Sequence, residues 1–150
     1  MSLSYRKATE NDWELVRDLE KEAASVSPRF FLAYESEKEI KDYLQKDQVF
    51  LVMEDEQPVG TVAFNTKGQE LAHIDGLAIV PSCTGKGYGT EAMRWVMDQI
   101  QNIKKAELVV HPQNSVALRI YLKVGFKIIG WKDNYFGDGE PRLELVKKEG

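Results

Sequence analysis

Glycines at positions 85, 87 and 89 punctuate the run Thr84-Gly85-Lys86-Gly87-Tyr88-Gly89-Thr90, directly after the apolar segment Gly76-Leu77-Ala78-Ile79-Val80. A loop without Cβ atoms lets backbone approach a ligand closely, and a helix starting near Gly87 turns free N–H groups toward any anion there. The pattern reads as a phosphate cradle. A Walker loop needs G-x-x-x-x-G-K-[ST], but Gly85-Lys86 is followed by Gly87 and nothing suitable lies upstream. The dinucleotide fingerprint G-x-G-x-x-G fails too, because the glycines run G-x-G-x-G and lack a convincing acidic partner in a βαβ unit. Taken alone, the loop is equally compatible with a tight strand-to-helix turn that binds nothing. About 25 residues on, Asn114, Ala117, Tyr121, Gly125 and Phe126 form a second set that gives the cradle chemical meaning. Upstream, His73 and Asp75 share one side of a regular strand, a parity that a bulge would upset.

The elements that must hold these residues follow from periodicity. Leu3–Ala8 reads as a strand, and Thr9 caps a helix whose apolar face carries Trp13, Val16, Leu19 and Ala23. Pro28–Tyr34 is aromatic and irregular; Ser36 then introduces a helix to about Lys46, with Ile40, Tyr43 and Leu44 on one side. Val49–Met53 and Val59–Asn65 form a hairpin about Glu54-Asp55-Glu56-Gln57-Pro58, and Leu71–Val80 continues the meander. Met93, Val96, Met97 and Ile100 set the face of a helix over Gly87–Asn102. A strand over Glu107–Val110, a helix capped by Asn114 and stopped at Gly125, and strands over Phe126–Trp131 and Leu143–Val146 complete the order β-α-α-β-β-β-α-β-α-β-β. A mixed sheet with helices on both faces is the economical architecture.

Composition narrows the classes. A chain of 150 residues is expected to be one domain, long enough to bury roughly 68–70% of its unfolded surface. Its 43% hydrophobic and 29% charged content is ordinary globular usage. No apolar stretch is long enough for a membrane span, and the opening residues lack the basic-then-apolar layout of a secretory leader, so a cytoplasmic protein is expected. A formal charge of -4 with interspersed signs argues against a broad nucleic-acid surface and leaves cationic acceptors open. Cys83, the single cysteine, allows no internal disulfide, and two separated histidines give no metal-ligand spacing.

With both motifs in order and suitably spaced, the chain resembles the GNAT superfamily of acyl-CoA-dependent N-acetyltransferases. The resemblance covers most of the chain and is strongest over Ile74–Gly89, like the family's motif A, and Asn114–Phe126, like its Asn-x-x-Ala-x-x-x-Tyr-x-x-x-Gly-Phe segment. It implies a mostly antiparallel twisted α/β sheet of about seven strands, splayed in the middle and flanked by about four helices. It implies acetyl-CoA as co-substrate. The pyrophosphate would lie on Thr84, Gly85, Lys86, Gly87, Tyr88, Gly89 and Thr90, and the pantetheine arm beside Leu77, Ala78 and Ile79, in a gap facing Glu107–His111, with Asn114 in reach. Thr84 departs from the family's usual Gln or Arg, at modest cost because the loop binds through backbone N–H groups.

The same resemblance makes Tyr121 the general acid for the departing thiolate and puts the oxyanion on a backbone N–H near Leu77. A phenol near pKa ~10 donating to a thiolate whose thiol has pKa ~8.5 is uphill by only about 2 kcal/mol. His73 occupies the strand position where some relatives carry an acidic base, and Asp75 is the alternative. A lysine-like amine is neutral only about once in 2,500 molecules at pH 7, so a base matters most for such an acceptor. Acceptor contacts are expected from Phe30, Phe31, Tyr34 and Asp75, and from Trp131, Tyr135 and Phe136, with Glu35, Asp133, Asp138 and Glu140 attracting a cation. The acceptor could be a small amine, an amino acid, an antibiotic or a protein N-terminus, and a homodimer is compatible with the aromatic loops. Two rivals stand beside direct acetyl transfer: a non-catalytic acyl-CoA-sensing module, and a nucleotide-binding protein using the same loop.

Overall fold

The computed structural model describes residues 3–31 and 34–148. They form seven strands and four helices, in order β1 (Leu3–Lys7), α1 (Trp13–Ala24), α2 (Glu37–Lys46), β2 (Gln48–Glu54), β3 (Gln57–Lys67), β4 (Leu71–Ile79), α3 (Tyr88–Gln99), β5 (Lys105–Val110), α4 (Ser115–Lys123), β6 (Lys127–Lys132) and β7 (Arg142–Lys148). Each expected element is present, with ends moved by a few residues at most. The expected Thr9 helix is the largest departure: Glu10–Asp12 forms a 3-10 turn, the Asp12 carboxylate accepts from the Thr9 N–H at 2.8 Å, and α1 begins only at Trp13. Of the expected irregular stretch, Pro28–Phe30 is a 3-10 turn, while Leu32 and Ala33 lie outside the described residues. Ser36 caps α2, its Oγ accepting from the Glu39 N–H at 3.1 Å.

The strands form one sheet in the order β1-β2-β3-β4-β5-β7-β6. Every neighbouring pair is antiparallel except β4 and β5, which run parallel. That parallel pairing is short: Leu71, Ala72 and His73 match Lys105, Ala106 and Glu107, and beyond them β4 pairs with no described strand on this side. β5 pairs instead with β7 all the way to Val110. The strands therefore splay into a V, as the resemblance implies.

Helices cover both faces. Trp95 of α3 stacks on Tyr5 with ring centroids 4.3 Å apart and meets Phe50 edge-on at 4.8 Å. Phe50 pairs with Val62, so the next residue along β3, Thr61, faces the other way, where Glu20 of α1 bonds it at 2.9 Å. Val16, Ile40, Leu51, Met93 and Leu145 are among the fully buried side chains that fill the space between sheet and helices. Among the described residues no helix is long and apolar enough to cross a membrane.

Candidate active site

The V opens onto a cleft of about 490 Å³ walled by Leu77–Ile79 of β4, by Thr84, Gly85 and Gly87–Thr90, and by Asn114, Ala117 and Ile120 around the start of α4. Gly85 and Gly87 both have φ of +82°, and a Cβ on either would meet nothing within 4 Å, so the backbone angle rather than space demands glycine there. Gly89 differs: its Cβ would come 2.7 Å from Ile120 Cδ1, so the missing side chain lets α3 and α4 approach closely. Glu91 makes the first helical bond, to the Gly87 carbonyl at 3.1 Å, which leaves the Gly89 and Thr90 N–H groups ahead of it as anion donors. Thr84 serves the loop's shape, its hydroxyl donating to the Pro81 carbonyl at 2.8 Å. Of the expected cradle residues Lys86 alone is absent from the cleft wall; its Nζ sits 5.8 Å from the Tyr88 ring centre. The Tyr88 ring is buried and its hydroxyl bonds the Glu54 carboxylate, so what this residue offers the cradle is main chain.

Asn114 caps α4, its Oδ1 accepting from the Ala117 N–H at 3.3 Å, which leaves the amide nitrogen to donate. With Phe30, Phe31, Leu77, Ala78 and Ala117 it walls both the cleft and a second space, a cavity of about 150 Å³. Tyr121 belongs to this cavity. No described residue bonds its hydroxyl, and burial pushes the phenol above its ordinary value of 10. The burden of proton transfer to a thiolate is then larger than in water unless the thiolate, desolvated in the same space, becomes more basic in step.

Asp75 also walls the cavity, and the reason is local. β3 and β4 pair Phe64 with Ile74 but Ala63 with Gly76, so Asp75 is the extra residue of a bulge. His73 still reaches it, Nε2 to Asp75 Oδ1 at 3.0 Å, while Nδ1 meets Glu107 Oε2 at 3.0 Å. Each ring nitrogen faces a carboxylate, and His73 is not itself a wall residue. Phe30, Phe31 and Tyr34 line the cavity as expected, but Trp131 and Tyr135 do not. Trp131 is 54% exposed and donates to Asp133 Oδ1 at 2.9 Å, and Tyr135 packs edge-on against Phe136, which takes the wall position. The carboxylates expected to draw in a cation are engaged elsewhere: Glu35 with Lys21, Asp138 with Arg142, and Glu140 with His111 and Arg29.

Three further residues shape the site. Glu20 of α1 lines the cavity and receives hydrogen bonds from the Tyr43 hydroxyl at 3.1 Å and the Thr61 hydroxyl at 2.9 Å. Burial raises its carboxyl from 4.5 to about 7; the two hydroxyls pull the other way and Asp47 adds to the rise. The available signal was its place four residues after Val16, a carboxylate on the apolar face of an amphipathic helix. Arg142, 1% exposed, closes another wall, its guanidinium donating to the Pro141 carbonyl and to Asp138 and lying 5.1 Å from the Phe136 ring centre. His111, equally buried, donates through Nε2 to Glu140 at 2.7 Å and accepts the Gln113 N–H at Nδ1. Arg29 also reaches Glu140, so the 28–30 turn and the loop before β7 are tied together beside the cavity.

Comparison with known proteins agrees with this geometry. The family model described as Acetyltransferase (GNAT) family matches residues 13–126. Spermidine N(1)-acetyltransferase of Escherichia coli is 29% identical over 143 residues, covering 86% of this chain and 75% of that protein. An uncharacterised N-acetyltransferase of Methanocaldococcus jannaschii is 24% identical, covering 96% and 90%. Among solved structures, Ard1 from Thermoplasma volcanium superposes with a TM-score of 0.83 at 20% identity, covering 100% of this chain and 99% of its own. A GNAT acetyltransferase from Elizabethkingia anophelis with acetyl-CoA bound gives 0.77 at 19% identity, covering 97% of each chain.

Proposed function

The chain belongs to the Acetyltransferase (GNAT) family and is an acetyl-CoA-dependent N-acetyltransferase; on that footing we propose direct transfer of the acetyl group to a primary amine of a small cationic molecule or peptide, with Tyr121 as general acid. The observation that carries this reading is the Tyr121 hydroxyl, which no described residue bonds, in a cavity that shares part of its wall with the cleft. The pyrophosphate lies on the main chain from Thr84 to Thr90, and the pantetheine arm takes the unpaired edge of Leu77–Ile79 in place of a strand. The neutral amine attacks the thioester carbonyl, a backbone N–H near Leu77 meets the oxyanion, and the phenol protonates the leaving sulfur. His73 acts through Asp75, the wall carboxylate it holds.

Asp75 and Glu20 give the cavity an acidic side, and the similarity to a spermidine acetyltransferase supports a cationic acceptor. We place the protein in the cytoplasm, and a homodimer would use the β6 edge of the sheet, where Ile128, Ile129 and Trp131 are exposed. Thiol release from acetyl-CoA across grouped amines, with polyamines and free α-amino peptides as separate arms, tests the function. Turnover with either arm supports it; acetyl-CoA binding with no thiol release from any amine would instead favour a sensing module.

A further inference from the structure

Two carboxylates wall the cavity, and they are not equivalent. Asp75 has both oxygens engaged, Oδ1 by His73 at 3.0 Å and Oδ2 by the Asn65 amide at 3.5 Å. Glu20 does not. Its two hydroxyl donors, Tyr43 and Thr61, bond the same oxygen, Oε2, and no described residue bonds Oε1. Thr61 is paired across the sheet with Ala78, so Glu20 is anchored at the level of the strand segment that walls both cavity and cleft. A carboxylate with one oxygen pinned and the other unbonded by any described residue, in the same cavity wall as Tyr121, has an acceptor to spare for a group that brings its own protons.

We propose that Glu20, reached through its free Oε1, is the base that accepts a proton from the acceptor's ammonium group. This rests on the acetyl-transfer reading above and names a base for it on α1 rather than on β4. The protons balance as follows. Of the three on the ammonium, one goes to Glu20 Oε1 and from there to water. A second ends on the CoA sulfur by way of Tyr121, which donates its phenolic proton and is restored from the nitrogen of the tetrahedral adduct. The third stays on the amide nitrogen, and the C–N bond forms as the C–S bond breaks. A carboxyl near 7 is well matched to this exchange at neutral pH, since about half of it is ionised there. The groups around it act in opposite senses: Tyr43 and Thr61 favour the carboxylate, Asp47 disfavours it, and Tyr34, Asp75 and Arg142 stand in the same cavity wall.

The test compares wild type, Glu20→Gln and Thr61→Val with spermidine and an alanine-initiated peptide as acceptors, recording kcat/KM against pH, acetyl-CoA affinity by calorimetry, and carboxyl signals by carbon-13 NMR. Wild type is expected to show an acidic limb with an inflection near pH 7 and a glutamate carboxyl titrating with it. Glu20→Gln should lose both, with kcat/KM at pH 7 down about 100-fold or more and acetyl-CoA affinity unchanged. Thr61→Val removes one donor to the carboxylate and should move the inflection upward, a shift that a merely structural Glu20 would not give. Retention of the inflection in Glu20→Gln, or a loss confined to KM, overturns the base while leaving acetyl transfer intact. Wild type that releases no thiol with these or any other amine of the grouped panel overturns the transfer reading and the base together.

Discussion

Replacing Glu20 with Gln should make the protein more stable above neutral pH. A carboxyl raised from 4.5 to about 7 by folding binds its proton more tightly in the native state than in the unfolded one. The contribution is whole below pH 4.5, falls as pH rises through the window between the two values, and is gone above pH 7. The window is about 2.5 pH units wide, and at 1.36 kcal/mol per unit the native state loses about 3 kcal/mol across it. Glutamine keeps a carbonyl oxygen for the Tyr43 and Thr61 hydroxyls and never ionises, so the variant lacks this slope. Urea unfolding at pH 5 and pH 8 measures it directly: the wild type should lose about 2–3 kcal/mol more than the variant between the two, other groups cancelling. For a chain of this size that is a difference in Tm change of about 5–10 °C. Equal pH slopes for the two proteins would refute the assignment of a desolvated carboxyl to Glu20.

Tyr121→Phe should lower kcat about 100-fold or more and leave acetyl-CoA affinity in place, measured by thiol release and calorimetry; unchanged turnover would remove Tyr121 as the acid. Gly87→Glu puts a side chain at φ +82° and a negative charge at the start of α3, and should abolish CoA binding. Gly87→Asn, whose side chain tolerates that angle, should retain part of it, and full binding by Gly87→Glu would discredit the cradle. Asn114→Ala removes the α4 cap and should destabilise the fold by about 1 kcal/mol in thermal or urea unfolding.

The glycine loop and the Asn114–Phe126 segment were legible because their residue types are demanded by backbone. Positive φ at Gly85, Gly87 and Gly125, and a side-chain cap at Asn114, are written in single letters. The helices were legible through their apolar spacing, and the splayed gap through family resemblance. Glu20 was not, because its role depends on Tyr43 and Thr61 arriving from α2 and β3, a juxtaposition that no spacing records. The same limit applies to Arg142 and His111, whose burial is decided by the loop before β7. Trp131 and Tyr135 fail as wall residues for the converse reason: aromatic residues near a site look alike in sequence, and only Phe136 of this trio lines the cavity. The bulge at Asp75 is a one-residue excess between strands, visible only once both are aligned.

The brief parallel contact between β4 and β5, confined to Leu71–His73 and Lys105–Glu107, divides the sheet into two slabs joined at one end. A ligand lying in the opening would act as a removable plank, bridging slabs that the protein's own hydrogen bonds leave apart. Occupancy would then be read out as cohesion of the whole molecule, about 2.7 kcal/mol at a hundredfold excess over Kd, with slowed amide exchange along Leu77–Ile79. Each turnover that empties the opening would return the two slabs to independent breathing.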